Sequence, residues 1–594
     1  MNPKEIITKI QELLITNNLD AYIIPSTDPH QSEYVANHWK AREWVSGFTG
    51  SAGTLVITKE IAGLWTDSRY FLQAEQQLIG SGIELFKMKV PHSHPYIDWL
   101  KNNLKENSKV SFDGKLFSVS LTKMIESSLT DYNIKIESNH DFIKPLWKNR
   151  PSIPTNNIFI HDIKFAGKSS IEKISQVRSI MIEKNVTCHI LSSLDDIAWL
   201  FNIRGNDVKY NPVVISYALI TLDNAFLFID KNLDDDIKET FKKNNITILP
   251  YSKINDRINE FCKNQTILLN PSKINNCIFR SIPSSCKIIE DVNITTTLKA
   301  TKNATEINNI KEVMVRDGVA LTKFFYWLEN NILQETITEL SVDKKLQFYR
   351  SQQKNFVGLS FGTISAYNSH GAIVHYEPTK KTDVELMKEG IFLIDSGGQY
   401  LDGTTDITRT ISLAKPKQEA INNFTLVLKG HINIASLKFP YGTKGYQIDI
   451  LARKFLWDNY KNYGHGTGHG VGSFLNVHEG PQGISPNASS TLNINFEEGM
   501  LTSNEPGIYI ENEYGIRIEN LILCEKDKDT EFGKFMKFNT VSLCYIDKSL
   551  INIDLLSKDE IKWLNDYHKT VYEKISPFLN NDEKEWLKEK TKSL

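Results

Sequence analysis

The stretch Ile391–Thr410, IFLIDSGGQYLDGTTDITRT, decides the fold of this 594-residue chain. Its first part is an apolar run stopped by glycines, which predicts a buried strand ending in a turn. Its second part, continuing as DITRTIS, carries β-branched residues in alternation and predicts the next strand. The chain between Asp395 and Asp406 is short and contains Gly397, Gly398 and Gly403. A hairpin-like return would bring both carboxylates to the same end of a sheet.

The same device recurs downstream. MLTSNEPGIYI (500–510) and YGIRIENLILC (514–524) are strand-like runs joined by ENEYG, so Glu505 and Glu519 can face each other across a ladder. His469, in GHGTGHGVG (464–472), supplies one nitrogen. A lone Asp at a strand end is ordinarily structural or a cap. Four carboxylates on adjacent strands are different, because a buried carboxylate must be paired or metal-bound to survive desolvation. Arg409 and Arg517 are the close cations in the sequence, too few to neutralise four. Asp395, Asp406, His469, Glu505 and Glu519 thus predict a two-metal hydrolytic site, in which divalent cations about 3.5–4 Å apart activate a bridging water and polarise a carbonyl. His465 and His469 have the spacing of a zinc HExxH pair, but that motif needs a helix and a Glu after the first His. Residue 466 is Gly, and the segment is too Gly-rich for a helix. The oxygen-rich shell favours hard ions, and Mn²⁺ fits it better than a thiolate-seeking metal.

The ordered set Asp, Asp, His, Glu, Glu, with DITRT, NEPG and RIEN around it, resembles the M24 metallopeptidases of the pita-bread fold. The separations of eleven and fourteen residues within the Asp and Glu pairs suit that family. WVSGFTGSAGTLVIT and LWTDSRYFLQAEQQL near the start, and LSSLDDIAWLFNIRGNDVKYNPV in the middle, resemble the three-domain Xaa-Pro aminopeptidases, so the likeness covers nearly the whole chain. The resemblance implies that Asp395 holds one metal, that Asp406 and Glu519 bridge both, and that His469 and Glu505 complete the second. It implies that His375, in GAIVHYEP, lies near the leaving proline and scissile carbonyl. His465 and His478 would contact substrate and the tetrahedral oxyanion, Arg517 would order the site, and Glu505 would also shuttle a proton. Preference for a peptide with proline at the second position, and a homodimer formed through the catalytic domain, are implied in the same way. A prolidase of the same catalytic fold is the nearest enzymatic alternative, although prolidases typically carry one N-terminal domain. A non-enzymatic pita-bread module that has lost its ligands is disfavoured by the complete set here.

Acidic and basic side chains nearly cancel, 71 against 69, with no block of like charge, which argues against nucleic acid or an anionic membrane as a partner. Apolar runs such as DNAFLFID are strand-sized, so no transmembrane helix is expected. The start, MNPKEIITKIQELL, lacks a signal-peptide core and reads as an amphipathic helix with Ile6, Ile7, Ile10 and Leu13/Leu14 on one face. Six cysteines without CxxC spacing read as free, mostly buried thiols in a reducing, cytoplasmic compartment.

Two creatinase-like α/β domains, 1–153 and 154–300, are expected before a pita-bread catalytic domain, 301–594, with a C-terminal extension from about 545. SGFTGSAGTLVIT lacks the GKS/T of a phosphate loop and is followed by a strand. KNRPSIPTN marks the first boundary. The first two units repeat one order of elements, which suggests an internal duplication. Asp195 and Asp196 are expected to be helix caps. Asn303 and Glu306 predict a capping box opening a long helix. Trp563, Tyr567 and Trp586 in the extension are expected to be packing residues.

Overall fold

Ala21–Ile24 and Cys188–Leu191 are fully buried strands occupying the same place in two six-stranded sheets. The structure, a computed structural model, describes residues 1–88, 94–487 and 493–594. It divides into two compact units, Met1–Ile160 with Lys168–Thr295, and His161–Gly167 with Thr296–Leu594.

Both of these sheets lie in the first unit. One runs Glu84–Met88, Ala62–Asp67, Thr54–Thr58, Ala21–Ile24, Lys109–Ser111, Lys135–Glu137. The other runs Ile246–Leu249, Ala225–Phe228, Tyr217–Thr221, Cys188–Leu191, Thr266–Leu269, Lys287–Glu290. From edge to edge each shows the same succession of pairings: parallel, antiparallel, antiparallel, parallel, parallel. One antiparallel pair in each sheet, Thr54–Thr58 with Ala62–Asp67 and Tyr217–Thr221 with Ala225–Phe228, is joined by a short turn, whereas parallel neighbours need a crossover. Helices Phe71–Gln77 and Val119–Thr130 cross over in the first sheet, and Asp235–Lys243 and Asn276–Arg280 in the second. The duplication suggested by element order is therefore carried down to strand polarity.

The opening helix, Pro3–Thr16, starts with a capping box from Asn2 to Glu5 and buries Ile6, Ile7, Ile10 and Leu14. The helix Leu194–Leu200 corrects one expectation. Ser193 occupies its N-cap, and Asp195 and Asp196 lie in the first turn, where negative charge faces the positive helix end. The Asp196 carboxylate accepts from Asn293 Nδ2 at 3.0 Å instead of capping.

In the second unit the Asn303–Glu306 capping box is formed and opens helix Ala304–Asn331. That helix buries Ile310, Val313, Val319, Leu321 and Phe324. The working surface comes from two sheets. Ile364–Tyr367, Ile391–Ser396 and Ile407–Ser412 form one. The other is ordered Lys438–Pro440, Gly533–Thr540, Asn520–Thr530, Leu501–Asn504, Gly468–Gly470, Glu479–Ile484. Helices Gln418–Ala435 and Gly445–Trp457 pack against this unit and against each other.

The helix Lys558–Ile575 in the C-terminal extension does more than cover a core. Tyr567 stacks on Trp563 with rings 9° from parallel. Its hydroxyl also accepts from Arg409 Nη2 at 2.9 Å and donates to the Cys544 carbonyl at 2.9 Å. Arg409 is buried and spends its remaining donors on the carbonyls of Thr408, Glu519, Cys544 and Tyr545 and on Asn520 Oδ1. Tyr567→Phe removes one partner from a buried cation and one donor from a buried carbonyl. The expected cost is about 1–3 kcal/mol, read as an earlier urea midpoint followed by tryptophan fluorescence. An unchanged midpoint would contradict this account of the extension.

Candidate metal centre

Asp395 is the fifth residue of strand Ile391–Ser396 and lies opposite Thr408 of strand Ile407–Ser412. Asp406 immediately precedes that second strand. The chain between them folds as a small hairpin, Gly398–Tyr400 against Gly403–Thr404. A Cβ on Gly397 would sit 2.0 Å from the Thr405 carbonyl oxygen, so the return is possible only without a side chain there. The predicted hairpin-like return exists, and both aspartates are buried at one end of it.

The glutamates sit at interruptions. Leu501–Asn504 pairs with Asn520–Thr530 up to Asn504 opposite Asn520, and a separate ladder of Gly507–Ile510 with Tyr514–Arg517 begins at Gly507 opposite Arg517. Glu505 and Glu519 occupy the gap between these ladders. Pro506 has no N–H and cannot continue the first ladder. Freed from strand pairing, the Glu505 amide donates to the Thr467 carbonyl at 2.8 Å and the Glu519 amide to the Thr408 carbonyl at 3.1 Å. Each glutamate is thereby stitched to another ligand-bearing segment.

His469 lies in strand Gly468–Gly470, with a register shift beside it, which agrees with rejecting a helical zinc motif. Its Nδ1 is 3.0 Å from the Gly470 carbonyl, an acceptor, so that nitrogen carries the proton and Nε2 is left for the site. Nε2 lies 3.4 Å from Asp406 Oδ2 and 3.4 Å from Glu505 Oε1. Ligand atoms of Asp395, Asp406 and Glu519 fall within 4.8 Å of one another, as do those of His469, Glu505 and Glu519. All five residues singled out in the sequence are therefore brought together. A third such group joins Asp406, His469 and His478, so the His478 imidazole reaches the same shell, its ring 4.2 Å from that of His469.

Around the shell runs a chain of hydrogen bonds. Arg517 donates to Asp395 Oδ2 at 2.8 Å, to Tyr509 Oη at 2.7 Å and to Thr408 Oγ1 at 3.1 Å. Thr408 donates to Glu519 Oε2 at 2.7 Å. Ser503 accepts from the His469 amide and donates to Glu505 Oε1. His465 places one nitrogen on the Gly466 carbonyl and accepts at the other from Tyr509 Oη, at 2.8 Å each. Contact of His465 with a substrate would require it to leave Tyr509. His375 lies in irregular chain beyond the 3-10 turn Asn368–Ala372 and is partly exposed. Arg409, read from the sequence as a nearby counter-charge, turns away toward the C-terminal segment, so its charge serves carbonyls and not the ligand carboxylates. Tyr509, Thr408 and Ser503 were not singled out in the sequence. Period-two alternation places Tyr509 on the face of Glu505 and Thr408 on the face of Asp406, a signal available within motifs already quoted.

The electrostatics fit a pair of cations. Burial first, then repulsion among Asp406, Asp395 and Glu505, pushes the Glu519 carboxyl well above the usual range. Burial raises Glu505 too, and raises Asp395 to about 6 against the pull of Arg517. Burial would lower His469, but Asp406 and Glu505 hold it up at about 9. Asp395 Oδ1 is buried with no hydrogen-bond partner among the described residues. A hard divalent ion would satisfy that oxygen and replace the protons the shell otherwise holds.

The sign of the pH dependence follows. Without metal, the folded protein binds more protons than the unfolded chain, at Asp395 between about pH 4 and 6 and at His469 between about pH 6.5 and 9. Apoprotein stability at this site therefore falls as pH rises. Metal must displace these protons, so its stabilising effect grows with pH. Calorimetry of apoprotein and Mn²⁺-loaded protein is expected to show a wider gap in melting temperature at pH 8 than at pH 5.5. A gap that is constant or narrows would remove the shell as the metal site.

Comparison with known proteins gives the same order of parts. Creatinase/prolidase N-terminal domain models match residues 6–140 and 149–306, the metallopeptidase family M24 model matches 308–526, and the C-terminal region of peptidase M24 matches 534–594. Xaa-Pro aminopeptidase 1 of Dictyostelium discoideum is 41% identical, over 99% of this chain and 96% of its own. A probable Xaa-Pro aminopeptidase P of Laccaria bicolor is 39% identical, over 99% of this chain and 93% of its own. The crystal structure of X-prolyl aminopeptidase from Caenorhabditis elegans, described as a cytosolic enzyme with a di-nuclear active site, superposes with a TM-score of 0.95 at 34% identity over 100% of both chains. Likeness at this level runs the full length of the chain and includes the unit in which the carboxylates converge, and so the chain belongs to metallopeptidase family M24, among its Xaa-Pro aminopeptidases.

Proposed function

We propose that this chain removes the first residue from peptides with proline at the second position, using two divalent cations held by Asp395, Asp406, His469, Glu505 and Glu519. The convergence of these five side chains from four separate segments carries the reading. Asp406 and Glu519 are the natural bridging ligands, since each shares a cluster with Asp395 and another with His469. The oxygen-rich shell favours Mn²⁺ among available divalent ions. When bound, the cations lower the pKa of a water and polarise the scissile carbonyl.

The chain's own residues supply the rest. A tertiary amide nitrogen leaves poorly as an anion, so the proline nitrogen must gain a proton. Glu505, whose carboxyl is raised by burial, is suited to carry it. His478 stands where it can contact an oxygen at the shell. His375 is assigned to the leaving-group side. Arg517 holds Asp395 in place, and Tyr509 links it to His465.

Six free thiols support a reducing compartment, and the cytosolic description of the Caenorhabditis relative points the same way. No helix among the described residues is long and apolar enough to cross a membrane. A homodimer belongs to this reading. Exposed Ile450, Trp457 and Tyr460, in helix Gly445–Trp457 and the turn after it, offer apolar surface for it.

The deciding experiment is hydrolysis of an Arg-Pro-Pro tripeptide by the Mn²⁺-loaded protein, with Arg-Ala-Ala and an Xaa-Pro dipeptide as controls. Release of Arg from the proline tripeptide, but not from Arg-Ala-Ala, is expected. Cleavage of the dipeptide alone would move the assignment to a prolidase. His375→Ala is expected to lower kcat about 10²-fold with little change in KM, the signature of a group acting on transition-state charge. A change confined to KM would leave it a binding role only.

A further inference from the structure

His478 and Glu479 are consecutive, yet their side chains meet opposite surroundings. The His478 imidazole joins the shell of Asp406 and His469. The Glu479 carboxylate is buried away from it, gripped at both oxygens by lysines. Lys299 Nζ reaches Oε2 at 2.9 Å, and Lys302 Nζ reaches Oε1. The two lysine side chains are 1% exposed and the glutamate side chain 0%.

Three charges buried in one place are not the cheapest way to hold a core. Apolar side chains of similar volume are often at least as stable, so stability alone does not account for them. What a carboxylate held at both oxygens supplies is a fixed position. The need for one is visible in the topology. Strand Glu479–Ile484 is at the edge of its sheet, paired among the described residues only with the strand of His469, and that pairing slips where Gly470 opposes Glu479. The start of an edge strand beside a register shift is weakly located by backbone pairing alone.

The lysines stand on a firm base. Thr301 bridges Met500, the Lys302 amide donates to the Gly499 carbonyl at 3.1 Å, and Asn303 begins the capping box of the long helix. Met500 leads directly into Leu501–Asn504 and Glu505. One short segment therefore supports both the glutamate ligand and the residue after His478.

We propose that Lys299 and Lys302 are positioning residues for His478, acting through Glu479 to fix the backbone from which the imidazole enters the shell. The proposal rests on the role given above to His478. The test measures kcat, KM, bound manganese and melting temperature for Lys302→Met, with Lys299→Met as a second variant, each in the wild-type and the His478→Ala background, on the proline tripeptide. Either variant leaves one ammonium on Glu479, so no carboxylate is stranded. Loss of kcat by about tenfold is expected in the wild-type background. KM and manganese content should be unchanged, and no further loss should appear in His478→Ala. Equal losses in both backgrounds, or a loss that tracks manganese content, would overturn the proposal. Full turnover by His478→Ala alone would instead sink the role of His478, and the proposal with it, whatever the lysine variants do.

Discussion

Four carboxylates gathered inside a protein repel one another, and much of the catalytic unit is organised around that repulsion. Two like charges 4 Å apart cost about 4 kcal/mol at an effective dielectric near 20, and burial removes the water that would screen them. Arg517 relieves Asp395, and His469 relieves Asp406 and Glu505. Glu519 has a threonine hydroxyl, and Asp395 keeps one oxygen unpaired among the described residues. Such a shell holds either protons or metal. The same physics that makes it costly alone makes it selective for hard cations.

Repelling groups stay together only if the backbone gives them no alternative. Asp395 is next to last in its strand, Asp406 just precedes one, and Glu505 and Glu519 sit where strand pairing breaks, with amide-to-carbonyl bonds from both glutamates crossing to other segments. Side chains then complete the frame. Thr408, Ser503 and Tyr509 each join two functional groups, so a displacement of one is resisted by its neighbours. On the far side of the Asp406–Thr408 strand, Arg409 ties the Thr408 and Glu519 carbonyls to Cys544, Tyr545 and Tyr567. The C-terminal extension is in this sense part of the centre's support, though none of its residues belongs to the ligand clusters.

Much of this was legible from residues alone. The strands around Asp395 and Asp406, the capping box at Asn303 and the five candidate ligands all follow from local rules, because periodicity, glycine turns and capping act over a few residues. The direction of Arg409 was not legible, since a strand arginine can face either way and its partners lie more than a hundred residues off. The role of Tyr567 was hidden for the same reason: its sequence neighbours make a helix, but its hydroxyl partners come from elsewhere. Ser193 as cap in place of Asp195 was a two-residue shift, within the range where helix ends are weakly specified.

The duplicated N-terminal architecture shows where the line falls. Element order was readable, yet identical strand polarity in both sheets appears only when the strands are paired, because parallel or antiparallel neighbours are decided by which distant strand fills the space. The sequence by itself determined which side chains can bind metal and which short elements carry them. Tertiary structure alone decided which of those side chains converge, which cations face them, and that two buried lysines grip the residue beside His478. Convergence is a property of long-range packing, and no local pattern encodes the distance between segments that meet only in the folded chain.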